Sequence, residues 1–381
     1  MSRHRPKKRI PRWAHRPAYW GVRTAAALIN VAGAEPSMRF MRRLGAMAGR
    51  LPMERRRLHR AAENIAWCFP SWNRAMVRDY ALESYRHLFC LGAEFAMSPR
   101  LISEDGYGVN IELGDMSKAL GPMCRERPCI FITGHCGNWE LLGYTLATLG
   151  ITMHALYRPL DLAPLDAWVR ETRRRPGLML VDKFGAAEAL PRLLEQHQPI
   201  AFIADQNAGD RGLFVPFFNR LASTYKTIGL LAMRYGATVV CGMARRLSGL
   251  SARTNGTAVA ETGPFEGEIA PNARESQFFR YRLELVDVFG PDEWKHQPDP
   301  LFYITARYRR AIEAMVHRAP EQYLWMHRYW KSRPAHERRG HQFPAQLREK
   351  IASLPWIDDD DVTQIVDRSA QDAAAIAAGS R

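Results

Sequence analysis

His135 and Glu140, five residues apart in the stretch Pro128 to Tyr144 (PCIFITGHCGNWELLGY), are the first residues whose types and spacing could do chemistry. A neutral imidazole takes a proton from a substrate, and a carboxylate beside it holds the ring and stabilises the cation that forms. Between them, Gly137 and Asn138 bring backbone N–H groups for an oxyanion, and Asn138 adds a side chain for substrate. Arg158, Asp205 and Gln206 supply a forked cation, a carboxylate and an amide as further substrate-binding candidates. Each residue also has a plainer explanation: a histidine closing a strand, a glutamate favoured by a helix macrodipole, a surface arginine, a turn aspartate. Their convergence on one rim carries the functional reading.

The elements that must position them follow from local pattern. Cys129 to Thr133 is a short, partly β-branched apolar run broken at once by Gly134, which predicts a buried strand. Asn138 is an N-cap residue type, and Trp139, Leu142, Leu146 and Leu149 recur at helical spacing. His135 therefore stands where strand becomes loop, and Glu140 falls in the first turn of a helix. The rhythm repeats, with strands predicted over 151–157, 178–181, 199–204 and 237–243 and helices over 164–174, 185–196 and 224–235. It predicts an α/β fold, a mostly parallel central sheet flanked by helices. In open sheets of this kind ligands gather at the carboxyl ends of the strands. Arg158 follows the strand over 151–157, and Asp205 and Gln206 follow that over 199–204.

Three regions are expected: a basic, helical, membrane-associating part over 1–100, an α/β domain over 101–335, and a partly disordered tail over 336–381. Within the first, Met38, Met41, Leu44, Met47, Ala48 and Leu51 form an apolar helical stripe, read most simply as core. Gly106 to Gly114 reads as a short edge strand. Phe214 to Phe218 (FVPFF) fits either buried packing or the wall of an apolar channel. Residues 245–277 read as a polar, irregular insertion.

Of the net charge of +15, almost all is N-terminal: residues 1 to 60 hold sixteen Lys or Arg against Glu35 and Glu54. Such concentration implies a localised anionic partner, membrane surface or nucleic acid. The stretch Ala18 to Ala34 carries Arg23 and Asn30, too mixed for a spanning helix of about 20 apolar residues. Flanked by Trp13, Tyr19 and Trp20, it fits an element lying at the headgroup level. The six cysteines form no CxxC pair and no metal-ligand spacing, so reduced thiols and no metal are expected. A nucleic-acid-binding protein is the reading from another class, but no zinc-finger, RNA-recognition or helix-turn-helix pattern accompanies the arginines, and no nucleic acid is expected.

At GHCGNWE the chain resembles the bacterial late acyltransferases of lipid A biosynthesis, within the lysophospholipid acyltransferase superfamily. The resemblance covers roughly residues 20 to 335. It includes His135 and Glu140 as HxxxxE, Tyr157-Arg158-Pro159, Ala204 to Gln206 (ADQ), Val215 to Phe218 (VPFF) and the closing WMHRYWKSRP. The resemblance implies transfer of a fatty acyl chain from an acyl carrier protein thioester to a hydroxyl of a lipid A precursor, without a cofactor. It also implies the cytoplasmic face of the inner membrane. His135 would then be the general base, Glu140 its partner and Arg158 a contact to the acceptor. Acyl-CoA as donor, or a glycosylated phosphoinositide as acceptor, remains the alternative.

Overall fold

A computed structural model of the chain describes residues 11–104, 106–124, 127–174, 177–247 and 278–379. The insertion expected at 245–277 lies outside the described residues from 248 on, as does the basic RHRPKKR leader.

Four helices come first: α1 (Arg12–Ala32), α2 (Ala34–Arg50), α3 (Arg55–Cys68) and α4 (Arg74–Leu101), the last capped by Asn73, which accepts from the Met76 N–H at 2.9 Å. α2 buries Ser37, Met38, Gly45, Ala46 and Gly49 and packs on α4. Its large apolar residues point the other way. Phe40, Leu44, Met47 and Leu51 recur every three or four residues and are exposed, so of the expected stripe only Met38 is fully core. Trp13, Trp20, Leu28 and Val31 make a similar exposed face on α1, where Trp13 is 79% and Val31 86% accessible. Among the described residues no helix is long and apolar enough to cross a membrane.

The α/β part runs α5 (Tyr107–Asn110), β1 (Ile111–Leu113), α6 (Ser117–Met123), β2 (Cys129–Thr133), α7 (Trp139–Thr148), β3 (His154–Tyr157), α8 (Ala163–Arg174), β4 (Met179–Asp182), α9 (Ala186–Glu195) and β5 (Ile200–Ile203). A hairpin, β6 (Leu213–Pro216) and β7 (Leu221–Thr224), precedes α10 (Lys226–Tyr235), β8 (Thr238–Arg246), β9 (Tyr281–Phe289), α11 (Pro291–Trp294) and α12 (Pro300–Arg318). Seven strands form the sheet in the order β1-β9-β8-β2-β5-β3-β4, parallel throughout except between β8 and β9. β2 lies at its centre and is buried on both faces. Ile130 and Ile132 enter one core with α9, α10 and α12; Cys129 and Phe131 enter the other with α4 and α7.

Three expectations change. The edge strand at Gly106 to Gly114 is a helical turn followed by a three-residue strand. FVPFF belongs to β6 and the turn after it, with Val215, Phe217 and Phe218 buried, so it is packing and not a channel wall. The C-terminal stretch folds as α13 (Ala335–Arg339), α14 (Ala345–Ala352) and α15 (Asp359–Ala377). Val362 and Ile365 bury one side of α15, and Asp372 receives a bidentate Arg220 at 2.8 and 2.6 Å and Arg333 at 2.6 Å. An isolated tail hides such anchors, because Arg220 lies about 150 residues away in sequence.

Candidate active site

β2 and β5 are adjacent parallel strands in which Thr133 pairs with Ile203. Two residues beyond that pair on each strand stand His135 and Asp205, and register alone brings them side by side. Asp205 is fully buried and accepts twice from His135: the backbone N–H at 2.8 Å and Nδ1 at 2.7 Å. That second bond puts the ring's proton on Nδ1 and leaves Nε2 as the acceptor. Burial pushes the Asp205 carboxyl up, but the His135 charge and the hydrogen bonds from His135 outweigh it and hold the group down to about 2. Gly134 is required between the strand and this pair, since a Cβ there would lie 2.9 Å from Ile312 and 3.4 Å from Asp205 Oδ2.

Glu140 is the correction. It is not on the imidazole; Arg173 of α8 clamps its carboxylate at 2.8 and 2.5 Å and stacks over the Tyr157 ring at 5.0 Å. The five-residue spacing carries Glu140 into the first turn of α7 and to the mouth of the site, while the ring turns back toward the strands.

Asn138 and Gly137 are also placed elsewhere than expected. Asn138 caps α7, accepting from the Leu141 N–H at 2.9 Å and donating to Glu94 at 2.7 Å, and at 1% exposure its side chain is buried away from substrate. The Gly137 N–H donates to the Gln322 carbonyl (2.9 Å) and the Asn138 N–H to the Ala244 carbonyl (2.8 Å), so neither is available to an oxyanion. Gly137 has φ +64, and a Cβ on it would strike the Ala244 carbonyl oxygen at 2.2 Å.

This loop rests on a polar network that sequence reasoning missed. His87 Nε2 donates to the Gly137 carbonyl (3.1 Å), while Nδ1 accepts from Arg246, which in turn meets Glu94 at 2.5 Å. Burial and the Arg246 charge hold His87 well below its usual range, so it is neutral in this chain of bonds. None of these residues adjoins the motif, so no local signal points to them.

Arg158 lies exposed one residue beyond β3 and lines the cleft that His135, Glu140 and Arg173 border. The cleft measures about 310 Å³, and its wall is the face of the sheet carrying Phe131, Ala155, Leu180 and Ala201, covered by Trp139 and Leu142 of α7. These alternate along each strand, and His135 is the next residue of that face after Phe131 and Thr133. The result is an apolar slot with an imidazole and charged groups at its mouth.

Two further neighbours complete the ring's surroundings. Gln206 Nε2 lies 3.4 Å from His135 Nε2, and the His327 ring lies 4.8 Å from the His135 ring. Burial, then the His135 charge, pushes His327 down to about 4, so it adds no second cation there at neutral pH. The segment bearing His327 is pinned by a bond from the Leu324 N–H to the His135 carbonyl at 3.1 Å. Cys136 is fully buried, donates to the Met315 carbonyl at 3.4 Å, and burial pushes its thiol well up. It is no thiolate nucleophile.

A base on a carboxylate at the end of an apolar slot suits deprotonating a hydroxyl beside a long-chain acyl group. A lipid A biosynthesis palmitoleoyltransferase of Escherichia coli (strain K12) is 26% identical over 299 residues, covering 77% of this chain and 85% of the relative. A lipid A biosynthesis acyltransferase of Shigella flexneri matches with the same identity and coverage. One of Haemophilus influenzae is 23% identical over 326 residues, 82% of this chain and 89% of the relative. Residues 6–252 match the family model of bacterial lipid A biosynthesis acyltransferases. The chain belongs to that family, and the protein is an acyltransferase.

Proposed function

We propose that the protein moves a fatty acyl chain from an acyl carrier protein thioester to a hydroxyl of a lipid A precursor, with His135 as general base. The observation that carries this reading is the imidazole fixed through Nδ1 by buried Asp205 in the lining of an apolar slot, which leaves Nε2 free to accept a proton. The acyl chain lies in the slot, where each buried methylene contributes about 0.8 kcal/mol. Nε2 takes the hydroxyl proton as the oxygen attacks the thioester carbonyl. The C–O bond forms, the C–S bond breaks, and the proton passes from the imidazolium to the departing thiolate. Asp205 stabilises the imidazolium between the two transfers without itself taking the proton.

Glu140 and Arg173 shape the mouth, and Arg158 there contacts a phosphate or sugar of the acceptor. The exposed apolar faces of α1 and α2, interspersed with arginines, rest on the anionic cytoplasmic surface of the inner membrane.

The test is mass spectrometry of a lipid A precursor incubated with purified protein and acyl-carrier-protein or acyl-CoA donor. One added acyl ester with the carrier donor is the expected product. Transfer from acyl-CoA alone would overturn the donor assignment, and no ester on any glycolipid would overturn the reading.

A further inference from the structure

Gln206 and His327, the two neighbours of the catalytic ring on the side away from the strands' shared register, also line a second cleft of about 800 Å³. It shares no lining residue with the apolar slot: His135 lines the slot, and the two residues against its ring line this cleft. Their chemistry is opposite. Arg56, Arg57 and Arg60 of α3 face Arg328 and Lys331 of the closing segment, with Glu54 the one carboxylate in the lining.

Glu54 is already engaged, by Arg57 at 2.9 Å and by the Tyr85 hydroxyl at 2.9 Å. Arg60 donates to the Met326 carbonyl at 3.3 Å. Arg56, Arg328 and Lys331 have no ionic partner among the described residues. Cations gathered in a concave site without counter-charge repel one another, and an anion bound among them removes that repulsion.

The rim identifies which anion. Met53, 79% exposed, lines this cleft, and Leu51 just before it ends the exposed apolar stripe of Phe40, Leu44 and Met47. A ligand with an anionic head and apolar tails spans both surfaces; a soluble acidic protein leaves the apolar rim unused. We propose that this cleft holds the phosphate-bearing headgroup of the acceptor lipid through Arg56, Arg328 and Lys331, delivering its hydroxyl to His135 Nε2 in place of the Gln206 amide. This rests on the reading of the protein as a glycolipid O-acyltransferase.

The experiment compares the full-length protein with an R56Q/R328Q/K331Q variant, whose three exposed and unpaired residues leave the fold's contacts intact. Acceptors are a diphosphorylated diglucosamine lipid and its dephosphorylated counterpart in phosphatidylcholine vesicles, with acyl carrier protein as donor. The expected result is an acceptor KM raised roughly tenfold or more for the phosphorylated lipid, with kcat, donor KM and the dephosphorylated acceptor nearly unchanged. Flotation with the same vesicles gives the matching loss of binding. Lys331→Glu alone should weaken binding further than Lys331→Gln. Unchanged acceptor KM and unchanged flotation would overturn the proposal, as would a rise in donor KM instead, which would assign the cleft to the carrier protein. Inorganic phosphate competing as well as the lipid would overturn the lipid assignment. Should the wild type acylate neither lipid, the function reading fails on its own, and flotation of the two proteins still decides the cleft.

Discussion

Two carboxylates serve the site, Glu140 in the lining of the cleft and Asp205 buried behind His135, and they are bound in opposite ways. Asp205 is fully buried and holds His135 through two hydrogen bonds fixed by the register of neighbouring strands. Glu140 sits at the mouth with its side chain 24% exposed, clamped by an arginine 17% exposed. The first pair is preorganised, because adjacent strand ends set both partners and two hydrogen bonds join them, and low surrounding polarity strengthens its electrostatics. The second is partly solvated, where screening and rearrangement weaken a single ion pair. In the proposed reaction, proton chemistry therefore belongs to the deep pair, and the shape of the entrance to the shallow one.

His135→Ala should give the largest effect, a drop in kcat toward the upper end of the roughly 10²–10⁴-fold that a positioned base contributes. Membrane flotation of the variant should match the wild type, which separates lost chemistry from lost docking. Asp205→Asn should follow at roughly 10²–10³-fold, since the ring remains while its tautomer is no longer held. The same substitution should alter acid stability. With its folded carboxyl titrating near 2 rather than at the usual value of about 4, Asp205 contributes stability above about pH 4 that is lost as pH falls toward 2. Thermal melts between these pH values should therefore be flatter for Asp205→Asn. A steep acid slope retained by the variant would assign the pH dependence to other groups.

The strand and helix pattern was legible because each element carries its own period and breaker: the apolar run of Cys129 to Thr133, the Asn138 cap, the helical stretch that became α10. The rim was legible too, since His135, Arg158 and Asp205 each follow a strand end. Pairing was not. Nothing local says that β5 lies beside β2, and that adjacency alone decides that Asp205 rather than Glu140 meets the imidazole. The same holds for Asp372, whose partner Arg220 sits on a distant turn, and for His87 beneath Gly137. The outward apolar face of α2 escaped for another reason. A helical stripe gives the direction of the apolar side relative to the helix, not whether core or membrane covers it.

Glu140→Gln tests the shallow pair. It keeps the side chain's shape and one acceptor oxygen for Arg173 while removing the charge, so kcat/KM should fall by only about tenfold, the scale of one weakened charged hydrogen bond. Arg173→Gln should behave alike, and the double variant should be little worse than either, because both break one contact. The contrast between the pairs disappears if Glu140→Gln falls as far as Asp205→Asn while Arg173→Gln does not. That outcome would mean Glu140 leaves Arg173 and reaches the ring when substrates bind.

The smallest effect belongs to Cys136, the residue beside the base. A covalent acyl-thiol route would need its thiolate at the cleft, yet the side chain is fully buried, its sulfur is turned to the Met315 carbonyl, and burial disfavours ionisation. Cys136→Ala removes a weak donor and a small apolar volume, so stability should fall by about 1 kcal/mol, measured by denaturant midpoint, and kcat by no more than about twofold. A folded Cys136→Ala protein with no transfer would move the chemistry from the His135–Asp205 pair to a sulfur nucleophile. Mass spectrometry of wild-type protein held with donor alone provides the same decision independently: under direct transfer no acyl group stays on the chain, because the carbonyl passes from the carrier's sulfur to the acceptor oxygen in one site.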